Sequence, residues 1–197
     1  MLDAGRKEEI VREAEKIQGW MSRVELEWLA SAASEHSHIV EVGSWKGRST
    51  KALGMATAGV VYAVDHWKGS ENERGEKQAE AADIDVYEIF EKNLKPEIDS
   101  GKVVPVYSDS ADAILSLKRL FAGKVPDMVF IDSDHQYDSV RRDIGNYLGL
   151  LGKGGLISGH DYSVYWPDVR RAVDKAFPDR QVVEGGAIWF TTANQLP

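Results

Sequence analysis

The fold is decided by the stretch Ile39-Val40-Glu41-Val42-Gly43-Ser44-Trp45-Lys46-Gly47-Arg48-Ser49-Thr50. Its apolar beginning predicts a buried strand, its two glycines predict a turn, and Ser49-Thr50 begins a predicted helix. Glycines let a backbone approach a ligand closely, and the first turn of a helix offers unpaired N–H groups. The stretch therefore predicts a pocket of nucleotide size, with a plain strand-to-helix turn as the alternative.

The spacing of the glycines differs from that of dinucleotide dehydrogenases. The chain reads Glu-x-Gly-x-x-x-Gly-x-Ser-Thr from Glu41 to Thr50, whereas the dinucleotide pattern is Gly-x-Gly-x-x-Gly. A second apolar run ends in Asp65, 22 positions after Gly43, close to the roughly 20 at which an acid that binds ribose is expected. Together, the turn and this acid predict a cofactor that contains adenosine.

The overall composition limits the class of protein. A chain of 197 residues suits one α/β domain, so we expect a single domain over residues 1–197. The net charge of −8 argues against binding to nucleic acid or to an anionic membrane. No apolar window is long enough to span a membrane, and the charged residues 1–9 do not resemble a secretory signal, so we expect a cytoplasmic protein. The absence of cysteine excludes disulfides and thiolate metal sites.

Predicted helices and strands alternate along the chain. Apolar spacing, and a capping box at Ser22 to Glu25, predict helices at 6–18 and 22–34, so residues 1–35 are expected to cover the sheet edge or the pocket. Further helices are predicted at about 49–57, 86–94, 110–121, 139–150 and 167–177. Strands are predicted at about 39–42, 60–65, 102–107, 127–132, 154–159, 181–183 and 187–191. This alternation predicts a doubly wound α/β fold with a terminal antiparallel hairpin and with 102–107 as an outer strand, since Pro105 suits an edge.

Residues 66–83 have no periodicity and are rich in polar and turn-forming residues. A compact α/β unit needs only a few connecting residues at this point. The segment follows the carboxyl end of a predicted strand, which is the ligand side of an open parallel sheet. We therefore expect residues 66–83 to form a lid on the substrate side, with a mobile loop as the alternative.

Acidic and histidine side chains follow several predicted strands. Right-handed crossovers bring the carboxyl ends of parallel strands to one edge of a sheet, and ligands of open α/β sheets bind there. The residues expected at this edge are Glu41, Gly43, Asp65, Ser108, Asp109, Asp132, His135, His160 and Asp161. Their number indicates a functional site rather than an edge that is only solubilising.

Taken together, these motifs resemble those of class I S-adenosylmethionine-dependent methyltransferases, in the small-molecule, O-methyltransferase-like branch with an Asp-x-Asp-His-x-Tyr box. The matching stretches are 41–50, 64–67, 130–137 and 154–162, and the resemblance covers about residues 20–192. It implies a Rossmann-like sheet of seven strands, with the last strand antiparallel and helices on both faces. It also implies methyl transfer from S-adenosylmethionine to a small-molecule acceptor, most often to oxygen. Ser133 stands where the family has glycine.

The resemblance also implies roles for individual residues. Glu41 and the turn from Gly43 to Gly47 would hold the methionine part of the cofactor, and Asp65 would bind its ribose. Trp67, Ser108 and Asp109 would lie by the adenine, and Asp132 would face the sulfonium and the methyl group. The set of predicted cofactor residues is completed by Ser44, Trp45, Ser49, Thr50 and His66.

Two arrangements for activating the acceptor are open. Catechol-type relatives hold a divalent metal at positions that correspond to Asp132, His160 and Asp161, and this set can bind Mg²⁺, Mn²⁺ or Fe²⁺. Relatives usually have a carboxylate where this chain has His160, and histidine is a poor ligand for Mg²⁺. Without a metal, His135 would be the general base, beside Asp132 and Asp161 as the other catalytic residues. A third interpretation gives both histidines only a structural role.

Other functions are also compatible with the sequence. One is an S-adenosylmethionine-binding protein of the same fold with another reaction, such as hydroxylation, or with none. An NAD-binding Rossmann enzyme is disfavoured by the glycine spacing. Aromatic residues near the expected crevice favour a planar or sugar-like small molecule as the acceptor. These residues are Trp67, Tyr137, Tyr162, Tyr165 and Trp166. No nucleic-acid or membrane partner is expected, and a homo-oligomer is compatible with the sequence.

Overall fold

The computed structural model describes residues 2–69 and 83–193. Within these residues, seven strands are β1 His38–Val42, β2 Val60–Asp65, β3 Val103–Tyr107, β4 Met128–Ile131, β5 Leu156–Gly159, β6 Gln181–Val182 and β7 Trp189–Thr192. The helices are α1 Ala4–Glu15, α2 Arg23–Ala33, α3 Arg48–Ala56, α4 Val86–Asn93, α5 Lys95–Asp99, α6 Ala113–Phe121, α7 Tyr137–Leu148 and α8 Pro167–Ala176. None of the described helices has the length and apolar character that crossing a membrane requires.

All seven strands belong to one sheet, in the order β3-β2-β1-β4-β5-β7-β6. Strands β1 to β5 pair in parallel, whereas β7 is antiparallel to both of its neighbours. The predicted seven-stranded sheet with an antiparallel last strand, an outer β3 and a terminal hairpin is confirmed. The chain changes direction of winding on either side of β1, so a ligand crevice is expected at the carboxyl end of β1.

The register of the central strands aligns three predicted site residues. Val42 of β1 lies opposite Val64 of β2 and Ile131 of β4. The next residues are Gly43 after β1, Asp65 at the end of β2 and Asp132 after β4, so these three residues lie side by side at the strand ends. The pairing continues past the strand ends, because the Gly43 N–H donates to the Val64 carbonyl (2.8 Å) and the Asp132 N–H donates to the Val42 carbonyl (2.7 Å).

Two apolar layers cover the faces of the sheet. One layer packs the helices α1 to α4 against one face, with Ile39 of β1 among its buried residues. The other packs α6, α7 and α8 against the opposite face, with Val40 and Val42 of β1. Successive strand residues point to opposite faces, so a strand buried on both faces must be apolar at nearly every position. Glu41 is the exception in β1, and it is fully buried.

The predicted helices are confirmed to within a few residues, and one helix was missed. Helix α5 follows α4 directly and has a proline in its first turn. Five residues are too few to produce a periodic apolar pattern, which is why the sequence did not indicate it. Helices α1 and α2 pack on each other and on α3, while the interpretation of 1–35 as a cover and of 1–197 as one domain stays a prediction. Most of the predicted lid, residues 70–82, lies outside the described residues.

The Gly43→Ala substitution is expected to lower the free energy of unfolding by about 3 kcal/mol, because it combines backbone strain with a steric overlap. Gly43 has φ +93°, and a Cβ there would lie 2.0 Å from the Asp132 carbonyl oxygen. Urea unfolding followed by circular dichroism measures the change.

Gly145→Ala is the matched control, since Gly145 lies inside α7 with nothing within 4 Å of an added Cβ. This variant should gain about 1 kcal/mol from helix propensity. Equal losses in the two variants would show that Gly43 has no special steric role.

Candidate active site

The turn after β1 depends on two glycines because of neighbouring protein atoms. A Cβ on Gly43 would overlap the backbone of Asp132, and a Cβ on Gly47, at φ +93°, would lie 2.1 Å from the Leu94 side chain. Gly47 is also the N-cap residue of α3. The sequence suggested that the glycines admit a ligand, and the structure adds a requirement from the packing of β4 and α4 against the turn.

Glu41 supports this turn from below. Its Oε2 accepts hydrogen bonds from the hydroxyls of Ser44 (2.8 Å) and Thr50, and Ser49 also hydrogen-bonds to it. Burial raises the pKa of Glu41 to about 7, although these hydroxyls act against the rise, and the nearby charge of Asp132 adds to it. The predicted residues Glu41, Ser44, Ser49 and Thr50 are all buried. Their hydrogen bonds connect β1 and the turn to the beginning of α3.

Asp65 fixes the opposite side of the turn. One carboxylate oxygen accepts the N–H of Trp45 (2.8 Å), and the other accepts the N–H of Trp67 (2.6 Å). Both tryptophans have left-handed backbones, at φ +47° and +52°. Such conformations cost free energy in residues other than glycine, and the two hydrogen bonds from their N–H groups offset part of it.

Trp67 packs in an aromatic cluster. Only 4% of the residue is exposed, and its ring lies 4.7 to 5.4 Å from those of Tyr87, Phe90 and Tyr107. Its indole N–H donates to the Trp45 carbonyl (2.8 Å). The contact between Trp67 and adenine that the resemblance implies stays a prediction.

A cleft of about 710 Å³ opens at the carboxyl ends of the central strands. Pockets for small ligands usually have about 300–1,000 Å³. The predicted cofactor residues that line it are Gly43, Trp45, Asp65, His66, Ser108, Asp109 and Asp132. Its described lining also has a strong charge imbalance, with Lys68 and Arg142 against five aspartates, namely Asp65, Asp109, Asp132, Asp134 and Asp143.

Asp143 was given no role by the sequence analysis. It is buried in α7 and accepts hydrogen bonds from the hydroxyls of Ser110 and Ser133, both at 2.8 Å. Burial raises the pKa of its carboxyl group, and the two hydroxyls oppose the rise. Ser133 stands at the position where the family has glycine, and its φ is not positive. Its hydroxyl connects the loop after β4 to Asp143.

A second group of acids and histidines adjoins the cleft at Asp132. The possible ligand atoms of Asp132, His160 and Asp161 all lie within 4.8 Å of one another. His160 Nδ1 lies 3.7 Å from an oxygen of Asp132 and 3.4 Å from one of Asp161. The structure therefore brings together the three residues that the sequence predicted as a metal set.

Carboxylates surround His160 on more than one side. Its Nε2 lies 3.0 Å from an oxygen of Glu25 in α2. Burial alone would lower the pKa of His160, but the charge of Asp132 and hydrogen bonds to Asp132, Asp161 and Glu25 outweigh it and raise the pKa to about 12. Burial alone would raise the pKa of Glu25. Its interactions with His160, the Ala187 N–H and Ser22 outweigh burial and lower this pKa to about 2. This environment stabilises positive charge.

His135 approaches the same group from the loop after β4. Its Nε2 lies 2.7 Å from an oxygen of Asp161, and its ring stacks on Trp166 with centroids 3.7 Å apart. Burial opposes ionisation of Asp161, but bonds to His135 and His160 and their charges hold its pKa well below the usual range. The predicted catalytic residues Asp132, His135 and Asp161 thus lie in one cluster.

Glu25 is the member of this cluster that sequence reasoning missed. The sequence identified it only as the third residue of a capping box, which is a local signal. Its contact with His160 joins residues 135 positions apart, and no pattern within one element encodes such a distance.

The doubly wound sheet, with its cleft at the strand ends beside β1, defines a Rossmann-like α/β protein. Residues 40–162 match the model of the Methyltransf_24 family, described as a methyltransferase domain. This match covers more than half of the chain, and the protein belongs to that family.

Solved structures with similar folds cover nearly all of this chain. Cofactor-bound Rv0187 from MTB has a TM-score of 0.64 and 17% identity, covering 98% of this chain and 91% of that one. The O-methyltransferase from Bacillus cereus in complex with SAH has a TM-score of 0.62 and 17% identity, and the match covers 98% of this chain and 92% of that one. TomG, an O-methyltransferase from Streptomyces achromogenes in complex with SAM, has a TM-score of 0.62 and 16% identity, and the match covers 96% of this chain and 88% of that one. At these identities the likeness concerns the fold.

A curated relative shares a shorter segment. Uncharacterized protein R132 of Acanthamoeba polyphaga mimivirus is 46% identical over 57 residues, which are 28% of this chain and 26% of that protein. The match thus spans about a quarter of the relative.

Glu41→Gln is expected to remove a pH dependence of stability. With a folded-state pKa near 7 against an ordinary value of 4.5, the folded protein keeps a proton that the unfolded chain loses between these pH values. The wild-type free energy of unfolding should therefore fall, relative to the variant, by about 3 kcal/mol as pH rises from 4.5 to above 7. Urea unfolding at several pH values measures the difference, and parallel curves would contradict the expectation.

Proposed function

We propose that the protein transfers a methyl group from S-adenosylmethionine to an oxygen atom of a small-molecule acceptor. Membership of the methyltransferase-domain family supports the reaction. The names of the B. cereus and S. achromogenes structures as O-methyltransferases support oxygen as the acceptor atom.

The observation that carries the choice of cofactor is the charge of the cleft. S-adenosylmethionine has a positive sulfonium, a positive ammonium group and one carboxylate, so its net charge is positive, whereas NAD has a negative pyrophosphate. Five aspartates against one lysine and one arginine favour a cationic ligand and oppose a pyrophosphate. This supports S-adenosylmethionine over a dinucleotide.

We propose a role in cofactor binding for each predicted residue at the cleft. The turn from Gly43 to Gly47, supported by Glu41, would receive the methionine part. Asp65 would bind the ribose hydroxyls with its remaining lone pairs while it holds the N–H groups of Trp45 and Trp67. The remaining cofactor residues are proposed as His66, Ser108 and Asp109 beside the adenosine and Asp132 near the methyl group.

The bound cofactor supplies a methyl group that is activated by the positive sulfur. The protein must then align the acceptor oxygen with the methyl carbon and receive the proton of the acceptor hydroxyl. Asp132 borders both the cleft and the group with His160 and Asp161. We therefore propose that the acceptor oxygen binds beside Asp132.

A divalent cation fits the chemistry of the second group. Two carboxylates and one imidazole, with ligand atoms within 4.8 Å, form a set that binds dications, and their environment stabilises positive charge. A cation held by Asp132, His160 and Asp161 would lower the pKa of an acceptor hydroxyl. The alternative within the same reaction is that His135, paired with Asp161, receives the proton without a metal.

The acceptor is proposed to be a planar small molecule. The loop between β5 and α8 exposes Tyr165, which is 85% accessible, and Val164, next to the Trp166 ring that stacks on His135. Aromatic and apolar side chains beside a polar reacting group suit a planar ring with a hydroxyl. A cytoplasmic location and a homo-oligomer stay predictions from the sequence.

Calorimetry with S-adenosylmethionine, S-adenosylhomocysteine and NADH tests the cofactor. We expect micromolar binding of the first two and none of NADH. Asp65→Asn should weaken binding by about 10- to 100-fold, because it weakens hydrogen bonds to a charged group. Asp138→Asn, at an exposed position of α7, is the control and should bind normally. Binding of NADH alone would refute the proposal.

Chelation tests how the acceptor is activated. Formation of S-adenosylhomocysteine is measured with a panel of catechols and phenols before and after EDTA treatment. If a cation at Asp132, His160 and Asp161 takes part, EDTA should lower the rate by at least about 10-fold, and added Mn²⁺ should restore it. An unchanged rate would instead favour His135 as the base.

A further inference from the structure

Glu25 connects three separate parts of the chain through its buried carboxylate. One oxygen accepts the backbone N–H of Ser22 (2.8 Å) and its hydroxyl (2.7 Å). The other lies 3.0 Å from His160 Nε2 and accepts the Ala187 N–H (2.7 Å). Helix α2, the end of β5 and the turn between β6 and β7 therefore meet at one side chain.

The turn between β6 and β7 is shaped to admit this carboxylate. A Cβ on Gly186 would lie 2.8 Å from Cγ and 3.1 Å from Oε1 of Glu25. Glu25 is only 4% exposed, and burying a carboxylate is costly unless it is paired. A capping box works equally well on the surface, so capping of α2 does not account for the burial.

The bond to Glu25 determines how His160 faces the neighbouring acids. Because Nε2 donates its hydrogen to Glu25, Nδ1 faces the space between Asp132 and Asp161, whose oxygens lie at 3.7 and 3.4 Å. A dication in that space would replace the Nδ1 proton and bind the lone pair of this nitrogen. Histidines that bind metals usually donate their second ring N–H to a carboxylate or carbonyl in this manner.

We propose that Glu25 is a positioning residue that orients His160 Nδ1 toward a dication shared with Asp132 and Asp161, and that the resulting site prefers a transition metal to Mg²⁺. The proposal rests on the cation site of the proposed function. Imidazole suits Fe²⁺, Ni²⁺ and Zn²⁺, whereas Mg²⁺ prefers oxygen ligands. Mn²⁺ also binds carboxylates, but it belongs to the transition-metal series, in which affinity for sites with nitrogen ligands rises from Mn²⁺ onward. A nitrogen ligand favours the transition metals only while it points at the ion, and Glu25 supplies that constraint.

The test measures metal binding directly, without turnover. The full chain is stripped with EDTA, and Mn²⁺ binding is followed by electron paramagnetic resonance, with Mg²⁺ added as a competitor. Glu25→Gln keeps the size of the side chain and should weaken Mn²⁺ binding by about 10- to 100-fold. Mg²⁺ binding should change less, so the ratio of the two affinities should fall. Glu27→Gln, on the same helix but half-exposed, is the matched control and should leave both affinities unchanged.

A double-mutant comparison separates positioning from general stabilisation. In a His160→Asp protein there is no imidazole to orient, so a further Glu25→Gln change should no longer weaken Mn²⁺ binding. A purely structural role of Glu25 would produce the same loss in both backgrounds. Gly186→Ala displaces the Glu25 carboxylate without removing it, and it should lower the Mn²⁺ to Mg²⁺ ratio even if Glu25→Gln fails to fold.

The outcomes separate this proposal from the one on which it rests. Tight Mn²⁺ binding with the same metal ratio in Glu25→Gln and Gly186→Ala would overturn the role of Glu25 and leave the cation site intact. If the wild-type protein binds neither Mn²⁺ nor Mg²⁺, both the cation site and the role of Glu25 fail. The binding of S-adenosylmethionine, measured separately by calorimetry, would still decide the methyltransferase proposal.

Discussion

The close approach of the Gly43 backbone to that of Asp132 sets the geometry of the whole strand-end edge. The parallel pairing of β1 with β4 continues past the strands through the bond from the Asp132 N–H to the Val42 carbonyl. A Cβ at position 43 would occupy the space of the Asp132 carbonyl. Because this contact joins the glycine turn to the first acid after β4, the cleft and the group around His160 share Asp132.

Two buried glutamates stabilise this edge by different means. Glu41 is surrounded by neutral hydroxyls, which do not compensate for the loss of water, and its pKa rises to about 7. Glu25 has an imidazole and a backbone N–H beside it, and its pKa falls to about 2. The contrast follows from electrostatics, since a buried charge is stabilised far better by an opposite charge than by dipoles alone. Glu41 therefore suits a supporting role, and Glu25 suits contact with a charged site.

The aromatic residue Trp67 shows how contacts between separate elements place a side chain. Its ring packs on Tyr87, Phe90 and Tyr107, and the place beside adenine that the resemblance implies stays a prediction. The direction of the ring follows from a left-handed backbone at position 67 and from partners on α4 and β3. The ring partners are not visible in the residues around position 67, because they lie on elements that come later in the chain.

The sequence by itself determined the alternation of strands and helices, the parallel sheet and the row of acids at its carboxyl edge. These features follow from local periodicity and from the direction of the chain, which a one-dimensional pattern contains. Only the tertiary structure decided that Glu25 meets His160, that His135 meets Asp161, and that Gly43 must lie against Asp132. Such contacts depend on how separate elements pack and on which rotamers fit, and packing is a property of the three-dimensional arrangement of the whole chain.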